Sequence, residues 1–482
     1  MRKLLFAVMA MVCLLLTAPG AAAVEAEDLS GKEIVSSYTG FTSPNQLFDG
    51  IFINTLKIRE GGSFTLTHEK GLGSLYIMFD IEYGPYTVTN EATGESHTFG
   101  EEGYLHEFLD LEATFGEAPV SVTVSFETGP AKINELYAYS SGEVPGFVQK
   151  WEPPAEGEAD LVLFSTHGDD EQLFFAGLLP YYAAELDYHV QVVYLTDHRN
   201  MTNRRVTEML NGLWAVGVRH YPVLGHFGDY QSSTLAEARM RYRNKGYTEE
   251  ELLRFVVENI RRFRPKVAVG HDLNGEYGHG MHMLYADYLC QAVEVSGNPA
   301  VFPDLAEKYE VWDVPKTYLH LYQKNKITVN WDISLESFDG MTAFEVTKKL
   351  GFPCHVSQQT YYHWYFAGIE KAADIPEYSP CEYGLYRTTV GDDEQCNDLF
   401  EHMTTHAQDR QLEAQWKAEE EARQAAGTEA IRRTEPSVPV PTEQPAEVQR
   451  EESSILLPLA IGALFLALAA VVTTLMNRGK KH

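Results

Sequence analysis

Between residues 159 and 272 the chain alternates short apolar runs with amphipathic ones, and few folds accept that rhythm. ADLVLFS (159–165), HVQVVYLT (189–196), HYPVLG (220–225) and KVAVGHD (266–272) read as buried strands. EQLFFAGLLPYYAAEL (171–186), NRRVTEMLNGLWAVGV (203–218) and EEELLRFVVENIRRF (249–263) read as helices, the first kinked or broken at Pro180. Strands that alternate with helices make parallel βαβ units. The expected fold class is therefore α/β, a doubly wound, mostly parallel, Rossmann-like sheet over residues 151–405. Such sheets hold their ligands at the carboxyl ends of the strands.

Residues 24–150 have a different pattern. SFTLTHE (63–69), SLYIMFDIE (74–82), SVTVSFET (121–128) and KINELYAYSS (132–141) are short, β-branched and aromatic, and turns divide them. They predict an antiparallel β-sandwich or jelly roll, which carries no cluster of reactive side chains. A carbohydrate-binding role and a plain structural role are both open to it.

The two ends predict a route to a membrane. MRKLLFAVMAMVCLLLTAPGAAA (1–23) has the basic start, apolar centre and small-residue finish of a cleavable export signal. ILLPLAIGALFLALAAVVTTLM (455–476) is an uncharged run long enough to span a hydrocarbon core of about 30 Å. The basic tail 477–482 then faces the cytoplasm. Residues 406–454 read as a charged helix followed by a Pro- and Glu-rich stalk. The expected protein is exported and single-pass, with its catalytic domain outside, on a bacterial cell surface. A formal charge of −31 argues against nucleic acid as a partner. Outside the signal, Cys290, Cys354, Cys381 and Cys396 match no Cys-x-x-Cys metal site, and their pairing stays open.

The reactive residues gather after two of the strands. THGDDE (166–171) follows the first, and HDLNGEYGHGMHMLYADYLC (271–290) follows KVAVG. His167 and Asp170 are three apart, so one turn can bring both to a single ion. His279 and His282 share a face near the start of a helix. A His/Asp/His set with an open fourth position suits a zinc that activates water.

THGDDE together with GEYGHGMH (275–282) resembles the PIG-L / LmbE-like family of metal-dependent de-N-acetylases. RVTEMLNGLWAVGV (205–218) and AFEVTKKLGFPCHVSQQ (343–359) are similar to further segments of that family, and the resemblance covers roughly 159–400. It implies hydrolysis of an N-acetyl group on an amino sugar or glycoconjugate, with Zn2+ as cofactor. It also implies His167, Asp170 and His282 as metal ligands and Asp169 as general base. His279 becomes the group that stabilises the oxyanion and helps protonate the departing amine. Tyr277 lines the site, and Arg205 and Asp229 are weaker candidates for substrate hydroxyls. Two residues depart from the family pattern: Gly168 stands where proline is usual, and Met281 where aspartate is usual. The competing readings are a zinc amidase for another amide and a carbohydrate-binding surface protein with a weakened enzyme domain.

Overall fold

The computed structural model describes residues 24–81, 83–198 and 203–434. The expected signal at 1–23, the stalk after 434, the apolar run 455–476 and the tail 477–482 lie outside the described residues. Among those described, no helix is long and apolar enough to cross a membrane. Two units are distinguished, one ending at Glu413 and one beginning at Ala414, and the sheets all belong to the first. The charged helix expected from residue 406 is His406–Thr434.

The N-terminal part consists of two antiparallel sheets. One has the order β1 (Val35–Thr39), β3 (Gly62–Thr67), β8 (Ser121–Phe126), β5 (Tyr86–Asn90), β6 (Ser96–Phe99). The other runs β2 (Leu56–Ile58), β9 (Ala131–Tyr139), β4 (Ser74–Phe79), β7 (His106–Asp110). Alternation decides which side chains face in. In β8, Val122, Val124 and Phe126 are buried, while Thr123 and Ser121 face outward and pair with Thr65 and Thr67 at 2.8 Å each. Phe64 and Val124 from the first sheet share one apolar cluster with Leu75, Ile77 and Ile133 from the second. β4 does not alternate and is buried throughout. Its other face, Tyr76 and Met78, packs with Tyr139 and Val148.

The α/β part carries a six-stranded mixed sheet: β11 (Val190–Tyr194), β10 (Leu161–Ser165), β12 (Val267–Gly270), β13 (Lys316–His320), β15 (Glu382–Thr388), β14 (Lys326–Thr328). The first four strands run parallel, and β15 and β14 add an antiparallel edge. Both faces are covered. Leu161 and Leu163 pack with Val206, Leu210 and Leu213 of the Asn203–Ala215 helix. Val162 and Phe164 pack with the Glu249–Phe263 and Gly280–Val295 helices. The chain leaves β10 for β11 on one side and returns to β12 on the other, which opens a crevice at the end of β10.

Two expectations change. HYPVLG is not a full strand: it makes isolated bridges at His220 and Val223. Pro222 between them has no N–H to give a ladder. The run 171–186 is not one helix, because Asp170–Leu173 and Pro180–Glu185 are separate turns. Gly177 between them has φ +93, and a Cβ there would fall 2.6 Å from Trp331. All four described cysteines are free, and Cys290 is buried in the core of the Gly280–Val295 helix.

The junction between the two parts is aromatic. Trp151 meets Trp214 and Tyr221 edge-on at 5.4 and 5.5 Å, and Tyr221 stacks on Tyr104 at 4.5 Å. Leu105 N–H donates to Tyr221 Oη at 3.0 Å. Gln149 Nε2 donates to Asn211 Oδ1 at 2.7 Å, on the helix that also carries Arg205. Removing the central ring should therefore weaken the whole unit. Trp151→Ala should lower unfolding free energy by about 3–5 kcal/mol. Urea titration followed by circular dichroism measures this, and a loss under about 1 kcal/mol would show that the junction is not part of the folded core.

Candidate functional site

The site is assembled from the segments that follow β10 and β12. His167 Nδ1, Asp170 Oδ2 and His282 Nε2 form a nearly equilateral triangle with sides of 3.1, 3.2 and 3.2 Å. A tetrahedral zinc with bonds of about 2.0–2.2 Å sets its ligands about 3.3–3.6 Å apart, so the triangle needs almost no adjustment. Burial alone would push the two histidines down, yet Asp170 overrides it and holds His167 up to about 10 and His282 up to about 9. The same histidines hold Asp170 well below the usual carboxylate range against its burial. A point that attracts protons this strongly attracts a cation for the same reason.

Two overlapping sets of three side chains bring donor atoms within 4.8 Å: His167, His279 and His282, and Asp170, His271 and His282. Lone pairs decide between their members. His271 Nε2 accepts Thr166 N–H at 3.0 Å, so that nitrogen has no free pair. His279 Nδ1 accepts Met281 N–H at 3.3 Å, as the cap of the helix. His167 and His282 each turn the other ring nitrogen to a carboxylate. His167 Nε2 lies 3.3 Å from Asp229 Oδ1, close enough for an ion pair though not aligned as a hydrogen bond. His282 Nδ1 donates to Glu276 Oε2 at 2.7 Å. Both histidines therefore turn a ring nitrogen into the triangle, where a bound cation would take the place of a proton, the arrangement that carboxylate–histidine pairs impose at metal sites.

Asp169 stands beside the triangle at the start of the Asp170–Leu173 turn. Arg205 Nη2 donates to its Oδ1 at 3.2 Å, and both side chains are buried. Arg205 Nε and Nη1 have no partner among the described residues. Burial, His167 and His282 push His279 down to about 3, so it is a neutral imidazole. Its capped Nδ1 leaves the proton on Nε2. Tyr277 is 39% exposed, with its backbone in the left-handed region at φ 46. Its ring lies 5.4 Å from that of His279. Against its burial, His167 holds Asp229 down to about 2. All of these side chains except His282, joined by Gln358 and Tyr361, line one cleft of about 180 Å³.

The two departures from the family pattern find physical reasons. Gly168 N–H donates to His198 Nε2 at 2.6 Å, a bond that proline could not make. A Cβ at Gly168 would also fall 2.8 Å from Met209 Sδ. The turn is thus tied down. Met281 is fully buried in the apolar core beside Leu284 and Tyr285. An aspartate there would be an unpaired charge in that core, so Met281 suits its surroundings.

Three residues escaped the sequence reading. Glu276 is completely buried and accepts from His271, His282 and His320. Its place inside GEYGHGMH was a usable signal. His271 directly after β12 was a weaker one, and His320 at the end of β13 had none, since no motif surrounds it.

The donor set suits metal-assisted hydrolysis, and the matches to known proteins support a hydrolase of the de-N-acetylase class. Residues 162–293 match the family model described as PIG-L, GlcNAc-PI de-N-acetylase, a stretch that holds both His/Asp clusters of the site. It is 28% identical over 225 residues to a 1D-myo-inositol 2-acetamido-2-deoxy-alpha-D-glucopyranoside deacetylase 1 of Catenulispora acidiphila, across 42% of this chain and 68% of the relative. With the deacetylase of the same name, without the numeral, from Streptomyces scabiei it shares 29% over 199 residues, 37% of this chain and 59% of the relative. The chain thus spans about three fifths to two thirds of these relatives' own length. Among solved structures, N,N'-diacetylchitobiose deacetylase from Pyrococcus horikoshii overlays with a TM-score of 0.33 at 12% identity, covering 48% of this chain and 85% of that one.

The Gly168 geometry gives a test. Gly168→Pro loses the bond to His198 and crowds Met209, so it should cost about 1–3 kcal/mol of stability. Gly168→Ala keeps the N–H but not the space, and should cost part of that. Chemical denaturation of both variants measures the losses; a Gly168→Pro protein as stable as the parent would refute this account of the turn.

Proposed function

We propose that the protein removes the N-acetyl group from an amino sugar or glycoconjugate, using zinc held by His167, Asp170 and His282. The observation that carries this reading is the donor triangle, open toward a cleft that also holds a buried carboxylate and a neutral imidazole. A bound zinc supplies Lewis acidity for the amide carbonyl and for the attacking water.

The chain's own groups supply the remaining parts. Asp169 takes the proton of the water as its oxygen bonds to the carbonyl carbon. Arg205 holds Asp169 Oδ1 and so directs the other oxygen for that task. His279 Nε2–H donates to the carbonyl oxygen as negative charge develops there. The proton gathered by Asp169 then passes to nitrogen when the carbon–nitrogen bond breaks, with His279 as its partner in that transfer. The products are acetate and the free amine. Arg205 Nε and Nη1 suit hydroxyl groups of the sugar, and Tyr277 walls the cleft. Asp229 contributes by orienting His167. The exported, membrane-anchored setting rests on the apolar runs at 1–23 and 455–476, and the sandwich is proposed as an accessory domain.

Asp169 and Asp170 are chemically alike, so position alone separates their roles. The purified protein should hold about one zinc per chain. Asp170→Asn should lose both metal and turnover, because a neutral amide is a poor ligand. Asp169→Asn should keep the metal and lose about 10²–10⁴-fold in kcat on an N-acetylated amino sugar. Zinc content and rate are measured on both variants. Metal lost from Asp169→Asn but kept by Asp170→Asn would reverse the assignment, and near-parental turnover in both would end the mechanism.

A further inference from the structure

Glu276 is the most heavily used side chain near the site; it does not line the cleft and stands one hydrogen bond behind the donor triangle. It is fully buried. Its Oε2 accepts His271 Nδ1 at 2.9 Å and His282 Nδ1 at 2.7 Å. Its Oε1 accepts His320 Nδ1 at 2.7 Å and the backbone N–H of Asp272 at 3.1 Å. Four donors meet the four lone-pair sites of one carboxylate, which leaves nothing unsatisfied. Gly275 makes the approach possible: at φ +67 it turns the chain where a Cβ would lie 2.4 Å from His279 O.

The pattern fixes the proton on every ring. His271 Nε2 accepts Thr166 N–H, so His271 must carry its proton on Nδ1. His320 Nε2 faces Ser379 O at 2.9 Å, and a carbonyl can only accept, so His320 donates from both nitrogens. His320 thereby balances the charge of Glu276. His282 donates from Nδ1 to Glu276, which turns its Nε2 into the triangle. We propose that Glu276 is the positioning residue of this site: it sets the tautomer and ring angle of His282 and ties it to β12 and β13 through His271 and His320. This rests on the zinc reading given above.

Glutamine at 276 cannot do the same. It offers one accepting oxygen, and its NH2 would face a ring N–H. With the NH2 on the Oε2 side, His271 would have to move its proton to Nε2 and lose Thr166, and His282 would have to keep its proton on the nitrogen that faces the triangle. On the Oε1 side, His320 would give up its Nδ1 proton and Asp272 N–H would lose its acceptor. The test uses the full chain stripped of metal. Zinc affinity is read by competition with a chromophoric chelator, and the visible spectrum of added Co2+ reports the ligand geometry. Glu276→Gln should bind zinc about 10–100-fold more weakly. Its Co2+ band should lose intensity or shift, while circular dichroism shows the fold intact. Glu276→Asp keeps the charge but falls short by one methylene, and should lie between the two. It replaces the glutamine variant if that one does not fold, with a loss of about tenfold expected. Parental affinity and spectrum in the variant measured would overturn the proposal. A parent chain that binds neither ion would instead overturn the zinc reading on which it rests.

Discussion

The site depends on the ladder between β10 and β12. Phe164 pairs with Gly270, so the two strands end level and the segments after them leave the sheet side by side. The ladder then continues by other means, because Thr166 N–H bonds to the ring of His271 instead of to a backbone carbonyl. Asp170 Oδ2 likewise takes the backbone N–H of His167 at 2.8 Å, which folds the turn back on itself. By the time the chain has left the strands, two backbone donors have been satisfied by side chains of the site. Those bonds place the imidazole of His167 and the carboxylate of Asp170 without a ligand to organise them. A site preorganised in this way does not have to find its geometry at the moment of reaction.

Charge within the site is arranged in pairs. Asp169 faces Arg205, Glu276 faces His320, and Asp229 faces His167. Asp170 faces His167 and His282 across the triangle, where a cation would take the place of their protons. Buried charges are tolerated when each has a partner, and one left over is costly unless something fills the gap. Glu171 illustrates the alternative. It is buried with His355 at 3.3 Å, yet burial and Asp169 push its carboxyl well above the usual range, so it remains neutral. Burial and the Arg205 charge push His355 down to about 4. This pair packs the 352–358 turns against the site without adding net charge beside the triangle.

The strand rhythm after residue 159 was legible because buried parallel strands are continuous apolar runs, and the helices between them carry one apolar stripe. The two His/Asp clusters were legible for the same reason: they sit where strands stop. β1, β2, β5, β6 and β7 were not singled out. LKI is too short to show a period, whereas YTVTN does alternate, with Thr87 and Thr89 turned outward. The split of 171–186 was only half visible. Pro180 signals a break, but the contact of Gly177 with Trp331 joins residues 154 apart in sequence. Glu276 shows the same limit at the site. Its neighbours in sequence suggest a turn, whereas its meaning comes from His320, which only the pairing of β12 with β13 brings near.

The Asn203–Ala215 helix connects these levels. Its apolar positions Val206, Leu210 and Leu213 seat it on β10. Its other positions serve two different masters. Arg205 reaches Asp169 in the cleft, and Glu208 accepts Ser357 N–H at 2.8 Å. That second bond fixes the segment whose Gln358 and Tyr361 form part of the cleft wall. One and two turns further along, Asn211 and Trp214 meet Gln149 and Trp151 at the junction with the sandwich. A helix rises about 1.5 Å per residue, so Arg205 and the junction are separated by little more than about 10 Å of rigid backbone. The sandwich therefore does not need a reactive side chain to matter for the chemistry. By pinning the far end of this helix, it restricts the freedom of Arg205, which holds Asp169 Oδ1.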